Sequence, residues 1–509
     1  MDKKITFLFF FLLIISFSSN YSQTISAKIV DSLTQKPVPF ATIQWSSNKG
    51  IITNEEGYFN LIIDSPLKPK DSIFVSCMGY ETLGKTFDEF KDSIVFLSPK
   101  AIALNNVIVS NKQYTAEEII DLVKENLDKN YNKDLTKKKI FFRERYFQNL
   151  NKTNYSKFES TITAFNSQFL DSVIRTIPKN EERYTEALFD LYGNYEKENQ
   201  KINLIKASEL YDKNSEMDLK ALETKFNKII KENVRTDSYF KVKSGIFGSK
   251  VDSDELFGTP TDSTDVEALN KKLEEEQKRK ENRKKYFANG IKSDVTRVFQ
   301  NLIFMEDTDL NFISKSRKYE YTILDFAYLG QDAVYVLKFE PKGGADYQGT
   351  LYVNADDFAV VRVEYENVKS IKSFKLLGIS MNEYMAKGKM LFYKGTDNRY
   401  NLRYLEKENG SSFGINRPLK IIEKNKIVKG RNKQNELSLK MDLGVTSTNK
   451  YEIVVFDTEN TSTTVFDAFT ENNSILPTYM PRYNPEFWKG YNIIEPNAAI
   501  REFTSVEEN

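Results

Sequence analysis

Between Thr24 and about Val109 the chain alternates short apolar runs with turn residues: ISAKIV, PVPFATIQW, GIITNEEGYFNLII, DSIFVSCMGYET, DSIVFLS and NNVIV. Short strands at this spacing predict an all-β sandwich. Tyr58, Asn60 and Ile62 alternate with Phe59, Leu61 and Ile63, so one face of that strand is expected dry and the other wet. Gly57 closes the turn Asn54-Glu55-Glu56-Gly57, where a tight reversal needs positive φ. Further on, Thr115-Ala116-Glu117-Glu118 has the letters of a capping box. The apolar positions Ala116, Ile119, Val123 and Leu127, with Ile120 beside them, then recur at helical spacing. A β segment is predicted over 140–165, and helical periodicity returns at Leu219, Leu222, Phe226, Ile229 and Ile230.

Residues 251–265, rich in Asp, Ser, Thr and Pro, read as a linker. In the stretch that follows, Glu267/Lys271, Glu274/Lys278, Glu275/Arg279, Glu276/Lys280 and Glu281/Lys285 each place the acid four residues before the base. That orientation supports a solvated helix by about 0.2 to 0.5 kcal/mol per pair. From about Val295 the pattern predicts strands at 319–326, 333–339, 349–353, 360–365, 389–393, 400–405, 419–423, 436–441 and 451–456. The expected class is multidomain, an N-terminal all-β sandwich followed by an α+β region with a large antiparallel sheet. Expected boundaries are 24–110 for the sandwich, 113–250 for a mixed helical and β region, and 251–288 for the linker and charged helix. A β-rich region follows over 289–509, either separate from 113–250 or one domain with it.

The strings Ile29-Val30-Asp31, Pro39-Phe40-Ala41-Thr42-Ile43, Thr53-Asn54-Glu55-Glu56-Gly57-Tyr58-Phe59, Met78-Gly79-Tyr80-Glu81-Thr82 and Leu104-Asn105-Asn106-Val107-Ile108-Val109 together resemble the carboxypeptidase regulatory-like domain. The resemblance implies a transthyretin-like sandwich that is non-catalytic, is not itself a peptidase, and stands at the front of many Gram-negative envelope proteins. The segment AVYVLKFEPKGGADYQGTLYVNADDFAVVRVEYE is similar to lipoprotein-carrier-like half-barrels. That resemblance implies a curved sheet offering an apolar concave face to a lipid or a partner chain.

The N-terminus, MDKKITFLFFFLLIISFSSNYSQ, has two lysines, an apolar run from Ile5 to Phe17, and a small polar flank. Residues 1–22 therefore read as a cleavable signal peptide, cut between Ser22 and Gln23. The run is shorter than the ~20 residues a membrane-crossing helix needs. No cysteine follows it for a lipid anchor, and no later transmembrane span is expected. The expected location is the periplasm, either side of the outer membrane, or outside the cell.

Charge and composition narrow the chemistry. With 73 Lys and Arg against 72 Asp and Glu, the net charge of +1 points to no nucleic-acid partner. The chain has no histidine, which removes the usual base near neutral pH and every Ser-His or Cys-His pairing. Its one cysteine, Cys77, lies in an apolar run and is expected as a buried thiol. Gly79 to Thr86 matches the letters of a phosphate loop but falls in the sandwich, with no helix expected after it. Gly410-Ser411-Ser412-Phe413-Gly414 matches a nucleophile elbow without a base, and Ser46-Ser47-Asn48-Lys49 has the spacing of a Ser-Lys dyad. Both read as turns. Asp252-x-Asp254 and Asp307-x-Asp309 start like calcium loops and do not continue as such.

No catalytic residue, metal site or cofactor is therefore assigned. The tripeptides at Ser32, Ser72, Ser93 and Ser172 resemble acceptors for periplasmic O-glycosylation. The leading expectation is an exported, non-catalytic envelope protein for binding or assembly, its partner an envelope protein, a lipid or a glycan. The 72 acids keep a carboxylate-dependent enzyme, such as a glycan hydrolase, as one alternative. The 28 tyrosines keep a surface glycan-binding adhesin as the other.

Overall fold

The computed structural model describes residues 23–63, 71–90, 92–100, 114–235, 237–252, 266–330, 332–425, 427, 432–471 and 474–504. The proposed signal peptide, the linker residues 253–265 and the last predicted sandwich strand at 105–109 lie outside them.

The sandwich contains β1 (Gln23–Asp31), β2 (Thr42–Gln44), β3 (Gly50–Ile52), β4 (Tyr58–Ile63), β5 (Ser72–Ser76), β6 (Leu83–Thr86) and β7 (Ile94–Leu97). Strands β4-β1-β7 form one sheet and β3-β2-β5-β6 the other. Alternate residues of both, among them Ile25, Ile29, Ile43, Leu61, Ile73 and Val75, fill the space between. Gly57 has φ +81°, and a Cβ there would lie 2.5 Å from the Ile29 carbonyl oxygen, so the turn requires glycine.

The rest of the chain is organised by one sheet of 14 strands. They are β8 (Thr136–Ser160), β9 (Asn180–Gly193), β10 (Gln200–Tyr211), β11 (Tyr239–Ser244), β12 (Phe247–Asp252), β13 (Tyr319–Leu329), β14 (Asp332–Pro341), β15 (Tyr347–Asn354), β16 (Val360–Asn367), β17 (Lys372–Leu376), β18 (Ile379–Lys394), β19 (Tyr400–Lys424), β20 (Lys433–Asn460) and β21 (Thr478–Met480). The main path runs β13-β14-β15-β16-β18-β19-β20-β8-β9-β10-β21, with β11 pairing β12 and β19, and β17 pairing β18. All of these pairings are antiparallel except β10 with β21.

Two of the strands are far longer than the pattern predicts. The expected strands at 400–405 and 419–423 are one strand, β19, and those at 436–441 and 451–456 are both parts of β20. The polar, glycine-containing stretch from Glu406 to Asn416 looks like a turn in isolation. In the fold it is hydrogen-bonded on both sides, to β18 and to β20, and long-range pairing overrides local preference. The reading of Gly410 to Gly414 as a turn is accordingly corrected to mid-strand.

One face of the sheet packs on helices. Thr115 caps α1 (Ala116–Asn130) by accepting from the Glu118 amide, while the Glu118 carboxylate accepts from the Thr115 amide, which completes the capping box. Helices α2 (Ser167–Thr176), α3 (Asn214–Asn233) and α4 (Val266–Phe299) follow. Ile119 and Val123 of α1 and Val295 and Phe299 of α4 share a core with Leu302 and Phe312, and with Ile140, Phe189, Val363 and Ile453 of the sheet. The charged helix thus continues past residue 288, and its last turns are buried. At the far end of the long strands Ile162 and Phe165, from the turn before α2, form a smaller cluster with Ile229 of α3, packed against Phe169 of α2 and Leu437 of β20. Among the described residues no helix is long and apolar enough to cross a membrane.

Candidate functional site

The other face of the sheet carries the sandwich. Phe141, Leu188, Tyr404, Val454 and Phe456 from the sheet join the sandwich core, wedged by Trp488, Ile493 and Ile494 of the C-terminal segment. Polar groups lace the same seam. Arg403, 1 % exposed, donates to the carbonyls of Gly50, Val455 and Phe456. Asn492 donates to the Ile62 carbonyl and accepts from the Ile62 amide, at 2.8 and 2.7 Å. Lys450 bridges Glu55 of the sandwich at 2.7 Å and Glu406 of the sheet at 3.1 Å. Burial works to raise the Glu55 carboxyl, and Lys450 outweighs it, so the group is held below its usual range.

Beneath the C-terminal segment Arg143 and Glu186 are paired at 2.8 Å, both essentially buried. The Glu186 carboxylate also accepts from Trp488 Nε1 at 2.7 Å and Ser208 Oγ at 3.1 Å, and Arg143 donates to the Ile494 carbonyl at 2.9 Å. Every charge of this cluster has a partner, as burial demands.

On the helix face the long strands leave the core and form the floor of a cleft. Because β19 and β20 pair without a register break from Tyr404/Val454 to Ile422/Glu436, residues directly opposite share a face and alternate residues repeat it. Leu405 and Ile453 are core, so Lys407 with Tyr451, Asn409 with Asn449, and Ser411 with Ser447 come next on the same face. These residues line an opening of 680 Å³ roofed by 307–311, with Arg297 of α4 at its rim. Tyr365 forms part of its inner wall. It lies across Gly388, where a Cβ would sit 2.6 Å from the tyrosine oxygen, so a side chain at that position would displace the ring.

The cleft is polar. Arg297 donates to Tyr451 Oη at 2.6 Å and Asp294 Oδ1 at 2.5 Å, and Asn449 Nδ2 donates to Glu144 Oε1 at 2.8 Å and Tyr451 Oη at 2.7 Å. Ser411 Oγ and Ser447 Oγ lie 3.0 Å apart. Burial, with the Glu144 charge nearby, pushes the Asp294 carboxyl up to about 6. Burial lowers the Lys407 ammonium to about 8, against the pull of Asp309.

One step further out the same face turns apolar. Phe374, Met381, Phe413, Val445 and Leu150 stand opposite one another across β17, β18, β19, β20 and β8. The next row is Leu376, Ile379, Ile415 and Leu443. Phe374, Leu376, Met381 and Phe413 are 44 to 56 % exposed. On the reverse face the corresponding positions are Ser380, Asn382, Ser412, Gly414, Thr446 and Gly444, so this part of the sheet is amphipathic. Two rows in register on an uncovered face are a patch rather than scattered exposure. They end at β17, whose outer edge pairs with no other described strand and whose residues are all exposed. The Leu377-Gly378 turn, both residues at positive φ, joins it to β18. Arg417 braces that turn by donating to the Leu377 carbonyl at 2.7 Å.

The residues singled out in the sequence scatter. Gly79 and Tyr80 form a turn, Leu83 to Thr86 is β6, and only a three-residue 3₁₀ turn follows, so the phosphate-loop letters have no helix after them. Ser46 to Lys49 is the β2-β3 loop, and Cys77 is buried. Asp252 ends β12, Asp254 is outside the described residues, and Asp307 and Asp309 roof the cleft. Ser411 and Phe413 of the elbow-like string are on the cleft floor and in the apolar row.

Ser22 is outside the described residues, and Gln23 begins β1 opposite Ile63. Ser93 is exposed ahead of β7, whereas Ser32, Ser72 and Ser172 are half-buried, and Ser172 Oγ donates to the Phe169 carbonyl at 2.6 Å. Lys407, Asn409 and Asn449 were not anticipated. Their signal is the period-two strings Lys407-x-Asn409-x-Ser411 and Ser447-x-Asn449-x-Tyr451, polar at positions where the strand continues a buried face.

Comparison with known proteins identifies the sandwich: residues 25–109 match the CarboxypepD_reg-like domain family. No curated protein matches the chain. Among solved structures it is similar to MucB in complex with MucA(peri), at 7 % identity over 65 % of this chain and 94 % of that one, with a TM-score of 0.15. The MucA/MucB complex of Pseudomonas aeruginosa gives 6 % identity over 66 % and 93 %, with a TM-score of 0.14. Scores at this level do not establish a common fold.

Proposed function

We propose that the protein is exported to the cell envelope and acts there as a non-catalytic binding or assembly protein that docks a partner chain on the outer part of its large sheet. The carrying observation is the pair of registered apolar rows, open on one face and running out to an unpaired edge strand. A protein segment satisfies both features, since its side chains extend the rows and its backbone pairs with β17. A lipid satisfies only the rows. The CarboxypepD_reg-like domain fits a binding or structural role, and its broad seam with the sheet gives the docking face a rigid support. Export rests on residues 1–22, and the non-catalytic reading on the absence of histidine and of a base beside either serine motif.

The test is photo-crosslinking in the cells that make the protein, with the reactive group at position 413 or 374 and, as control, at position 446 on the polar face. Discrete protein adducts from 413 and 374 alone are expected, together with a mature N-terminus at Gln23 in an envelope fraction. Lipid adducts, or equal labelling from 446, would refute partner docking. A full-length cytoplasmic chain would refute export.

A further inference from the structure

Two groups on the cleft floor lack what their chemistry calls for. Lys407 makes neither an ion pair nor a side-chain hydrogen bond among the described residues, although the strands on either side and the roof above bury most of its length. Asn449 has its amide nitrogen committed to Glu144 and Tyr451, and its Oδ1 is buried with no donor. An unmatched cation and an unmatched acceptor each cost stability, and a ligand that supplies an anion and a hydroxyl relieves both. Asn409 stands directly opposite Asn449, also without a side-chain partner, and offers an amide beside them.

We propose that this cleft binds a carboxylated saccharide, its carboxylate on Lys407 Nζ and its hydroxyls on Asn449 Oδ1 and the Asn409 amide. Three observations select that class. The volume of 680 Å³ is within the ~300 to 1,000 Å³ usual for small-molecule sites. Charged, hydroxyl and amide groups outnumber apolar side chains such as Leu310 and Met385 in the lining, with Ser411 and Ser447 continuing the floor, so a fatty ligand is poorly matched there. Four basic and four acidic side chains line the opening, so their charges cancel, and Lys407 is the basic one on the β19-β20 floor beside Asn409 and Asn449, where a monoanion suits one ammonium better than a phosphate dianion. The site is separate from the apolar rows and does not depend on what they dock.

The experiment is calorimetric titration of the purified chain with a trisaccharide bearing a single glucuronic acid residue, with maltotriose and acetate as controls. The acidic trisaccharide is expected to bind at least tenfold more tightly than either control. Lys407→Met is expected to weaken it at least tenfold, Lys407→Arg to retain most of it, and Asn409→Ala to weaken it severalfold. Among the described residues the side chains of Lys407 and Asn409 make no hydrogen bond or ion pair, so unfolding temperatures should confirm intact folds. Phe413→Ser, which alters only the docking rows, should bind the sugar like the parent, so this test and the crosslinking test fail independently. Equal affinity for maltotriose or acetate, no binding by the parent chain, or an unaffected Lys407→Met variant would overturn the assignment.

Discussion

Under the C-terminal segment, Arg143 and Glu186 are as buried as the surrounding leucines, and each of their polar atoms has a partner. On the opposite face, three residue pairs beyond Tyr451, Phe413 and Met381 are apolar and nearly half exposed. The same strands, β8 and β20, contribute to both regions. The seam therefore has the chemistry of a permanent contact, with charges that cannot leave their partners, while the outer rows have that of a contact still to be made. The sandwich is fixed to the sheet as part of one body, and binding capacity lies where the sheet projects past its helices.

The sharpest way to break this contrast is at Glu186. Replacing it with Leu leaves Arg143 buried without its main partner and Trp488 Nε1 and Ser208 Oγ without acceptors. A loss of about 3 to 5 kcal/mol is expected by urea unfolding. Far-UV circular dichroism and the fluorescence of Trp45 and Trp488 should move in one transition, because the sandwich and sheet share a core. A loss under about 1 kcal/mol, or a sandwich that melts separately, would remove the idea of a permanent seam.

Lys138 tests the filled, helix-side part of the sheet from within, because it is a buried cation with no carboxylate partner among the described residues. It lies over the Tyr195 ring and donates to Thr136, and burial lowers its ammonium to about 7. Its unfolded value is near 10.4. Below pH 7 both states hold the proton and the full burial cost is present. Between pH 7 and 10 the folded state has released the proton and the unfolded state has not, so this group makes stability rise with pH. Lys138→Met is expected to stabilise on the order of 1 to 3 kcal/mol at pH 6, with a gain that fades towards pH 10. Denaturation midpoints at the two pH values measure it, and a gain unchanged with pH would contradict the assignment.

Asn492 sits between the two regions in magnitude. Asn492→Ala removes both bonds to the Ile62 backbone on the edge of β4. A cost of about 1 to 2 kcal/mol and faster amide exchange at Ile62 are expected. Unchanged exchange at Ile62 would show that the apolar seam alone holds this edge.

What the sequence disclosed follows from where the forces are local. The sandwich strands up to residue 97, the Gly57 turn and the Thr115 capping box carry their signals in short local strings, and these are found. The continuity of β19 and β20 through Glu406 to Asn416 and through Asp442 to Lys450 depends on strands far away in the chain, and the local letters there spell turns. The cleft was missed for the same reason. Its floor is those hidden strand centres and its roof is Asp307 to Asn311, brought together only by the register of β19 on β20 and by the last turns of α4. The helix-side face of the sheet carries apolar residues in two parts, one filled by α1 and α4 and the other left open as the outer rows.

The smallest expected change in stability accompanies the most decisive functional one. In Met381→Ser with Phe413→Ser, two residues 44 and 45 % exposed lose apolar surface of which nearly half is in water in the folded state as well. The folded state forgoes only the part each side chain already buries, and the unfolding free energy should fall by no more than about 1 kcal/mol. Binding to a partner is different, because covering the exposed part of each side chain contributes roughly half of the ~1.5 to 3 kcal/mol of complete burial, and the rows act together. With both serines in place the rows are interrupted at their centre, and crosslinks from position 374 should disappear while the fold and the seam persist. A destabilisation of several kcal/mol would mean instead that Met381 and Phe413 are structural and that the outer face, like the seam, is already satisfied.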